Sequence, residues 1–261
     1  MTLRFSFRAL GALSILLLTA TASAGALSAQ EIVDKLLESD PFGFGGATVT
    51  ARLVVQEKGG GQNQLAFTSR SVRYDGPYSK SIVRFTAPAD LAGAGFLQVQ
   101  KRGSDDERML FLPELKRSRR IAGSLRGSSF MGTAFSYADL DWRDFREADV
   151  AGKPDEDIGK HSCYRVDVVP RRSDSPYARL EAWIRKDNML PLKLVMYDRT
   201  QALHKTFSAL EVRRVEGQWF VTKSRMVDHT RGASTELLLD NVAPLKDASE
   251  DEFSVRNLEK M

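Results

Sequence analysis

Hydrophobic positions follow three different periods along this chain, and each predicts a different kind of element. An unbroken apolar run extends from Ala9 to Ala20. Helical spacing comes next: Ile32, Val33, Leu36 and Leu37 make one stripe. Ser28-Ala29-Gln30-Glu31 opens that helix as a capping box, and Pro41 with the glycines of Phe42-Gly43-Phe44-Gly45-Gly46 closes it. From Ala47 the period drops to two. Val49, Ala51, Leu53 and Val55 alternate with polar neighbours, Gly59-Gly60-Gly61 turns the chain, and Leu65, Phe67, Ser69 and Ser71 continue it. Further strands are predicted over 81–87, 96–101 and 108–112, the last two a hairpin around Gly103-Ser104-Asp105-Asp106, and over 115–122. The same period returns over 164–169, 179–186, 192–198, 204–213, 219–228 and 235–242, with turns at Asp187-Asn188 and Glu216-Gly217. Many short antiparallel strands and one helix suggest a large curved sheet or barrel.

Between these two β halves, residues 123–141 keep no period. Stretches of this length inside a compact domain are usually functional loops. Ser128-Ser129-Phe130-Met131-Gly132-Thr133-Ala134-Phe135-Ser136-Tyr137 places four large apolar side chains in a glycine-flanked segment. Methionine and aromatic groups adapt to irregular apolar surfaces. Such a segment either plugs a core or lines a ligand cavity as a movable flap, and the plug is the favoured expectation.

The N-terminal run changes the compartment. Arg4 and Arg8 precede it and Ala22-Ser23-Ala24 follows, which are the three parts of a cleavable secretory signal peptide over residues 1–24. The run is shorter than the roughly 20 residues of a membrane span. A periplasmic protein of one domain over 25–261 is expected. The net charge of +4 falls to near balance without Arg4 and Arg8, so nothing global points to nucleic acid. Cys163 is the only cysteine, which excludes an internal disulfide; its strand context predicts a buried, inert thiol.

Catalytic chemistry is sparse. His161, His204 and His229 lack ligand spacing for zinc. Nucleophile elbow, phosphate loop and dinucleotide fingerprint are all missing from the sequence. Asp139-Leu140-Asp141 and Asp155-Glu156-Asp157 read as solvated acidic clusters. No enzyme, cofactor or metal is expected. The strongest local feature is instead Lys116-Arg117-Ser118-Arg119-Arg120. Alternation puts Lys116, Ser118 and Arg120 on one face and Arg117, Arg119 and Ile121 on the other. Two readings stand open: contact with anionic lipid headgroups or an acidic partner, and an edge strand kept from aggregating by its charge.

Phe111-Leu112-Pro113 with Lys116 to Ile121, then Ser129 to Leu140, resembles the signature of the outer-membrane lipoprotein-sorting-protein-like family, part of the LolA/LolB-like carrier superfamily. Phe85-Thr86-Ala87-Pro88-Ala89-Asp90, Cys163-Tyr164, and Tyr177 with Trp183-Ile184 support it. Ala134 departs from the pattern, since the family often carries an acid there. The resemblance implies a mainly β fold, an incomplete antiparallel barrel of roughly eleven strands wrapped around one or a few helices. It implies a carrier of lipid or lipoprotein acyl chains, peripheral contact with membranes, and service to an inner-membrane transporter of the resistance-nodulation-division type. The expected cavity lining is Phe67, Phe85, Leu97, Leu110, Leu112 and Trp183, with Phe130, Met131, Phe135 and Tyr137 near its mouth. Lys116, Arg117, Arg119 and Arg120 are expected to meet headgroups or a partner. A sensor or adaptor binding a protein on the same scaffold is the alternative.

Overall fold

The computed structural model describes residues 27–40, 42, 46–76, 78–245 and 248–260. The signal peptide expected over 1–24 lies outside the described residues. Helix α1 (Ala29–Ser39) begins at Ser28, whose hydroxyl and amide both reach the Glu31 carboxylate. It ends where Asp40 turns left-handed, just before Pro41. Ile32, Val33 and Leu36 are its buried stripe.

Thirteen strands then form one antiparallel sheet. The first six are β1 (Ala47–Gln56), β2 (Gln62–Asp75), β3 (Tyr78–Ala87), β4 (Gly95–Val99), β5 (Glu107–Leu112) and β6 (Arg117–Arg120). The other seven are β7 (Ala148–Ile158), β8 (His161–Pro170), β9 (Tyr177–Arg185), β10 (Pro191–Asp198), β11 (Leu203–Val215), β12 (Gln218–Asp228) and β13 (Ala233–Pro244). The spatial order is β6-β5-β4-β3-β2-β1-β13-β12-β11-β10-β9-β8-β7. The chain therefore runs outward from the centre to one edge, crosses to the opposite edge, and returns to pair β13 with β1. The edges β6 and β7 do not pair, so the barrel is incomplete.

This topology decides the fate of the aperiodic segment. Residues 121–147 must connect the two outermost strands, and the short path runs over one face of the sheet. That inner face carries the main core. Register aligns Leu53 with Leu65 and Leu237, Ala51 with Phe67, Phe67 with Phe85, and Leu194 with Phe207 and Ala182. Phe130, Phe135, Tyr137 and Phe145 of the crossing segment are buried against it. Helix α2 (Arg143–Arg146) ends the crossing. On the outer face the 3₁₀ turn Glu250–Phe253 and helix α3 (Val255–Leu258) cover β3–β5, burying Phe253 and Leu258 against Ile82, Leu97 and Phe111. Gly95 leaves room for that helix: a Cβ there would sit 2.7 Å from Leu258 Cδ1.

Several expectations are corrected. Lys116 lies outside the strand, left-handed at the end of the 3₁₀ turn Pro113–Leu115, so β6 is shorter than 115–122. Asp155-Glu156-Asp157 sits in strand β7, not in a loop; an edge strand exposed on both faces has no alternation to betray it. The short helices α2 and α3 add to the single helix expected from the pattern. Leu97 and Trp183 face outward. Leu97 joins the cluster under α3, and Trp183 packs with Cys163, Leu192 and Val195. The reason is parity. Phe96 and Ala182, one residue away, occupy the inner face, and a one-residue offset moves a side chain across the sheet.

Candidate functional site

Between the inner face and the crossing segment lies an apolar cavity of about 80 Å³, room for a handful of waters. The sheet contributes Leu53 and Phe67 from β1 and β2, and Leu180, Leu194, Met196, Phe207, Met226 and Leu237 from β9 to β13. These are alternate residues on the same face of neighbouring strands, as the register requires. The crossing segment supplies the opposite wall through Phe130, Phe135, Ala138, Leu140, Trp142 and Phe145. Phe42 closes one end, stacked on Trp142 at 6.0 Å and edge-on to Phe207 at 5.7 Å.

The wall made by the crossing segment begins as a small hairpin. Ser129 bridges Ser136, and the Phe130 amide donates to the Phe135 carbonyl at 2.8 Å. Its tip needs positive φ, at Met131 (50°) and Gly132 (79°). Phe130 fills an aromatic nest, with centroids 5.5 Å from Phe96, 5.6 Å from Tyr137 and 5.9 Å from Phe85. Each such burial is worth about 1.5–3 kcal/mol.

Polar anchors hold the segment at three places. At the tip, the Arg231 guanidinium donates to the carbonyls of Gly132 and Thr133 and to the Ser129 hydroxyl. The Ala134 amide donates to Thr235 Oγ1 at 2.9 Å. Ala134 itself is buried, so an acid at this place would sit inside the core. In the middle, Asp139 bonds Lys205 Nζ at 2.7 Å and accepts from the Tyr177 hydroxyl at 2.5 Å. Burial pushes the Asp139 carboxyl up, but Lys205, Tyr177 and the Ser136 amide outweigh it and hold the group below the usual range. Burial together with Asp139 drives the Tyr177 hydroxyl well above the ordinary tyrosine value.

The third anchor is a buried ion network. Asp141 accepts from Arg108 at 2.6 Å, from Gln98 at 3.0 Å and from Arg126 at 3.4 Å. Arg126 also meets Asp144 and Asp174, and Arg108 meets Asp106. Burial raises Asp141, and the two guanidiniums more than reverse this. Asp144 goes the other way: burial and the Asp141 charge push it to about 6 against the pull of Arg126. An acid raised in the folded state binds its proton more tightly than in the unfolded chain. Its contribution to stability therefore falls as pH rises from about 4 to 6. Asp144→Asn is expected to gain stability relative to the wild type over that interval, read by urea unfolding at pH 4.5 and 7. If the unfolding free energy of the variant minus that of the wild type is no more positive at pH 7 than at pH 4.5, Asp144 is not one of the acid-linked groups.

Of the residues expected from sequence to form the site, Phe67, Phe130 and Phe135 line the cavity. Phe85, Leu110 and Tyr137 are buried in the same inner core, beside it. Leu112 and Met131 are partly buried against that core. Leu97 and Trp183 lie on the other face. Arg117 and Arg119 pair with Leu112 and Leu110 and so share the inner side, while Ser118 and Arg120 face outward. Most of the far wall, β9 to β13, went unrecognised. Its alternation was visible, but which of its two faces was inner was not.

A family model described as one of uncharacterized proteins matches residues 78–260. The chain belongs to that family. Among solved structures, a domain from Vibrio parahaemolyticus described as an outer membrane lipoprotein-sorting protein shares 25% identity, with a TM-score of 0.83, over 89% of this chain and 98% of its own. A DUF1329 family protein from Desulfovibrio piger matches at 25% identity and TM-score 0.83, over 88% and 97%. A LolA superfamily protein from Nitrosomonas europaea, 18% identical, has the same fold at TM-score 0.71 over 88% and 98%. No curated protein matches the sequence. The lipoprotein-sorting-like, LolA-type fold expected from the signature around the basic cluster is thus present. No helix among the described residues is long and apolar enough to cross a membrane.

Proposed function

We propose that this protein is a periplasmic carrier that shields lipid, or the acyl chains of lipoproteins, in the cavity between its sheet and its crossing segment. The observation that carries the reading is the lining: aliphatic and aromatic side chains from seven strands converge on one apolar space. Exposing acyl chain to water costs about 0.8 kcal/mol per CH₂, and an apolar space removes that cost. As it stands the cavity is small, so loading requires the crossing segment to lift. Its polar anchors suit a part that must release and close again, because they exchange readily for water once opened. Cargo would pass between the inner membrane, or a transporter of the resistance-nodulation-division type, and the outer membrane. No step of this role calls for catalysis.

One observation favours a second reading. Phe130 and Phe135 already occupy much of the space that cargo would take. A scaffold filled by its own side chains suits a sensor or adaptor that binds a protein instead.

Native mass spectrometry of the protein purified from its own periplasm, with lipid extraction of the same sample, separates the two. Stoichiometric lipid, displaced when Leu140→Trp narrows the cavity, is the expected result. A clean apo mass with no uptake of added phospholipid or lipoprotein would replace the carrier with the protein-binding module.

A further inference from the structure

Among the described residues, arginine is almost everywhere paired. Every described arginine outside β6 except Arg256 has an ion-pair, hydrogen-bond or ring partner. Against this background β6 stands apart. Arg117, Arg119 and Arg120, with Lys116 before them, are all exposed, and among the described residues none of the four has an acidic or hydrogen-bonding side-chain partner. The nearby acids do not neutralise them: the Glu259 carboxylate accepts the Ser118 amide, and Glu114 is exposed on the preceding turn.

The ends of the strand add a second observation. Leu115 is 49% exposed and Leu125 43% exposed, two of the few large apolar side chains that the described surface presents. They sit in the 3₁₀ turns Pro113–Leu115 and Gly123–Leu125, on either side of the basic run. Unpaired cations bracketed by exposed leucines combine the two forces that hold a protein at a lipid surface: attraction to anionic headgroups and shallow burial of apolar side chains. An edge protected only against aggregation would need no exposed leucines, and shallow insertion into a headgroup layer needs no complementary pocket to receive them.

We propose that β6 and its flanking turns form a docking surface for an anionic lipid bilayer. Leu115 and Leu125 enter the headgroup layer, while Lys116, Arg117 and Arg119 meet lipid phosphates and Arg120, on the other side of the strand, adds to the local positive potential. Placement gives the surface its use. The crossing segment that closes the cavity starts directly after β6, at Ile121. Docking therefore brings the origin of the moving wall to the membrane. That use rests on the carrier reading; the docking itself does not.

The test is vesicle flotation of the mature protein, with phosphatidylcholine vesicles set against equal mixtures of phosphatidylcholine and phosphatidylglycerol. A basic side chain near an anionic surface contributes roughly fivefold in partitioning. Binding to the mixed vesicles is expected, with little to phosphatidylcholine alone, and loss at about 1 M salt, where screening acts within roughly 3 Å. The pair Arg117→Glu and Arg119→Glu is expected to lower partitioning at least about 25-fold. Leu115→Ser with Leu125→Ser should lower it severalfold while the salt dependence stays. All four positions are exposed, and an unchanged melting temperature verifies folding in each variant. Failure of the wild type to float, or flotation indifferent to both pairs, overturns the proposal. Binding to soluble polyglutamate without flotation overturns it in favour of an acidic protein partner. Co-purified lipid is scored separately. Flotation without bound lipid sinks the carrier and leaves the docking surface standing; bound lipid without flotation does the reverse.

Discussion

Asp141→Ala is expected to lower the melting temperature by about 10 °C. Its side chain is fully buried and takes hydrogen bonds from Arg108, Gln98 and the Arg143 amide, with Arg126 beside it. Removing one partner of a buried ion pair leaves the other charge without compensation, at a cost of about 3–5 kcal/mol. For a domain of this size each kcal/mol moves the midpoint roughly 2–4 °C. The effect is large here because two guanidiniums lose the same carboxylate and both are buried. Asp106, Asp144 and Asp174 remain near them, but none of the three reaches both guanidiniums as Asp141 does. Thermal unfolding followed by circular dichroism measures this directly. A fall of less than about 2 °C would mean that the network redistributes its charge and that Asp141 does not hold the end of the crossing segment.

Lys205→Met should produce the second largest effect, with a different distribution. Lys205 stands on the inner side of β11, opposite Asp228, and reaches the crossing segment at Asp139. Without it Asp139 keeps the Tyr177 hydroxyl and the Ser136 amide but loses its countercharge. A loss of about 3 kcal/mol is expected, concentrated in faster hydrogen exchange over residues 128–140. Adding Asp139→Asn should restore at least half of it, because the buried charge is then gone. Independent, additive losses would show that the two groups are not coupled. The pH dependence has a definite sign. Asp139 is held below the ordinary carboxylate range, so its contribution is present above that range and disappears as pH falls through it. Wild type and Lys205→Met should therefore converge in stability as the solution is acidified below about pH 4.

These two anchors reveal what kind of closure the crossing segment is. Its apolar side chains supply most of the burial, but its position is set by a few charged contacts to β5, β9 and β11. From the local pattern Asp139 and Asp141 are expected in solvent, because acids in an irregular stretch usually are. Their partners, Lys205 and Arg108, lie 66 and 33 residues away. Nothing in the local pattern connects them. The segment's role as an occupied core element was legible in part: Phe130, Met131, Phe135 and Tyr137 announced a plug, and all four pack in or against the inner core.

Much of the fold could be read from residues alone. The capping box at Ser28, the strand periods on both sides of the aperiodic segment, the turn at Glu216-Gly217 and a buried Cys163 all depend on neighbours within a few positions. The signature around β6 identified the family for the same reason, being contiguous. Polar edge β7 escaped because a strand exposed on both faces carries no alternation. Tertiary structure alone decided the rest. Period two marks two faces without saying which is inner, and that choice is made by what packs on each. Leu97 and Phe96 are equally apolar neighbours, yet α3 claims one and the crossing segment the other. The cavity follows the same logic: its walls come from strands far apart in sequence, brought together only when β13 pairs with β1.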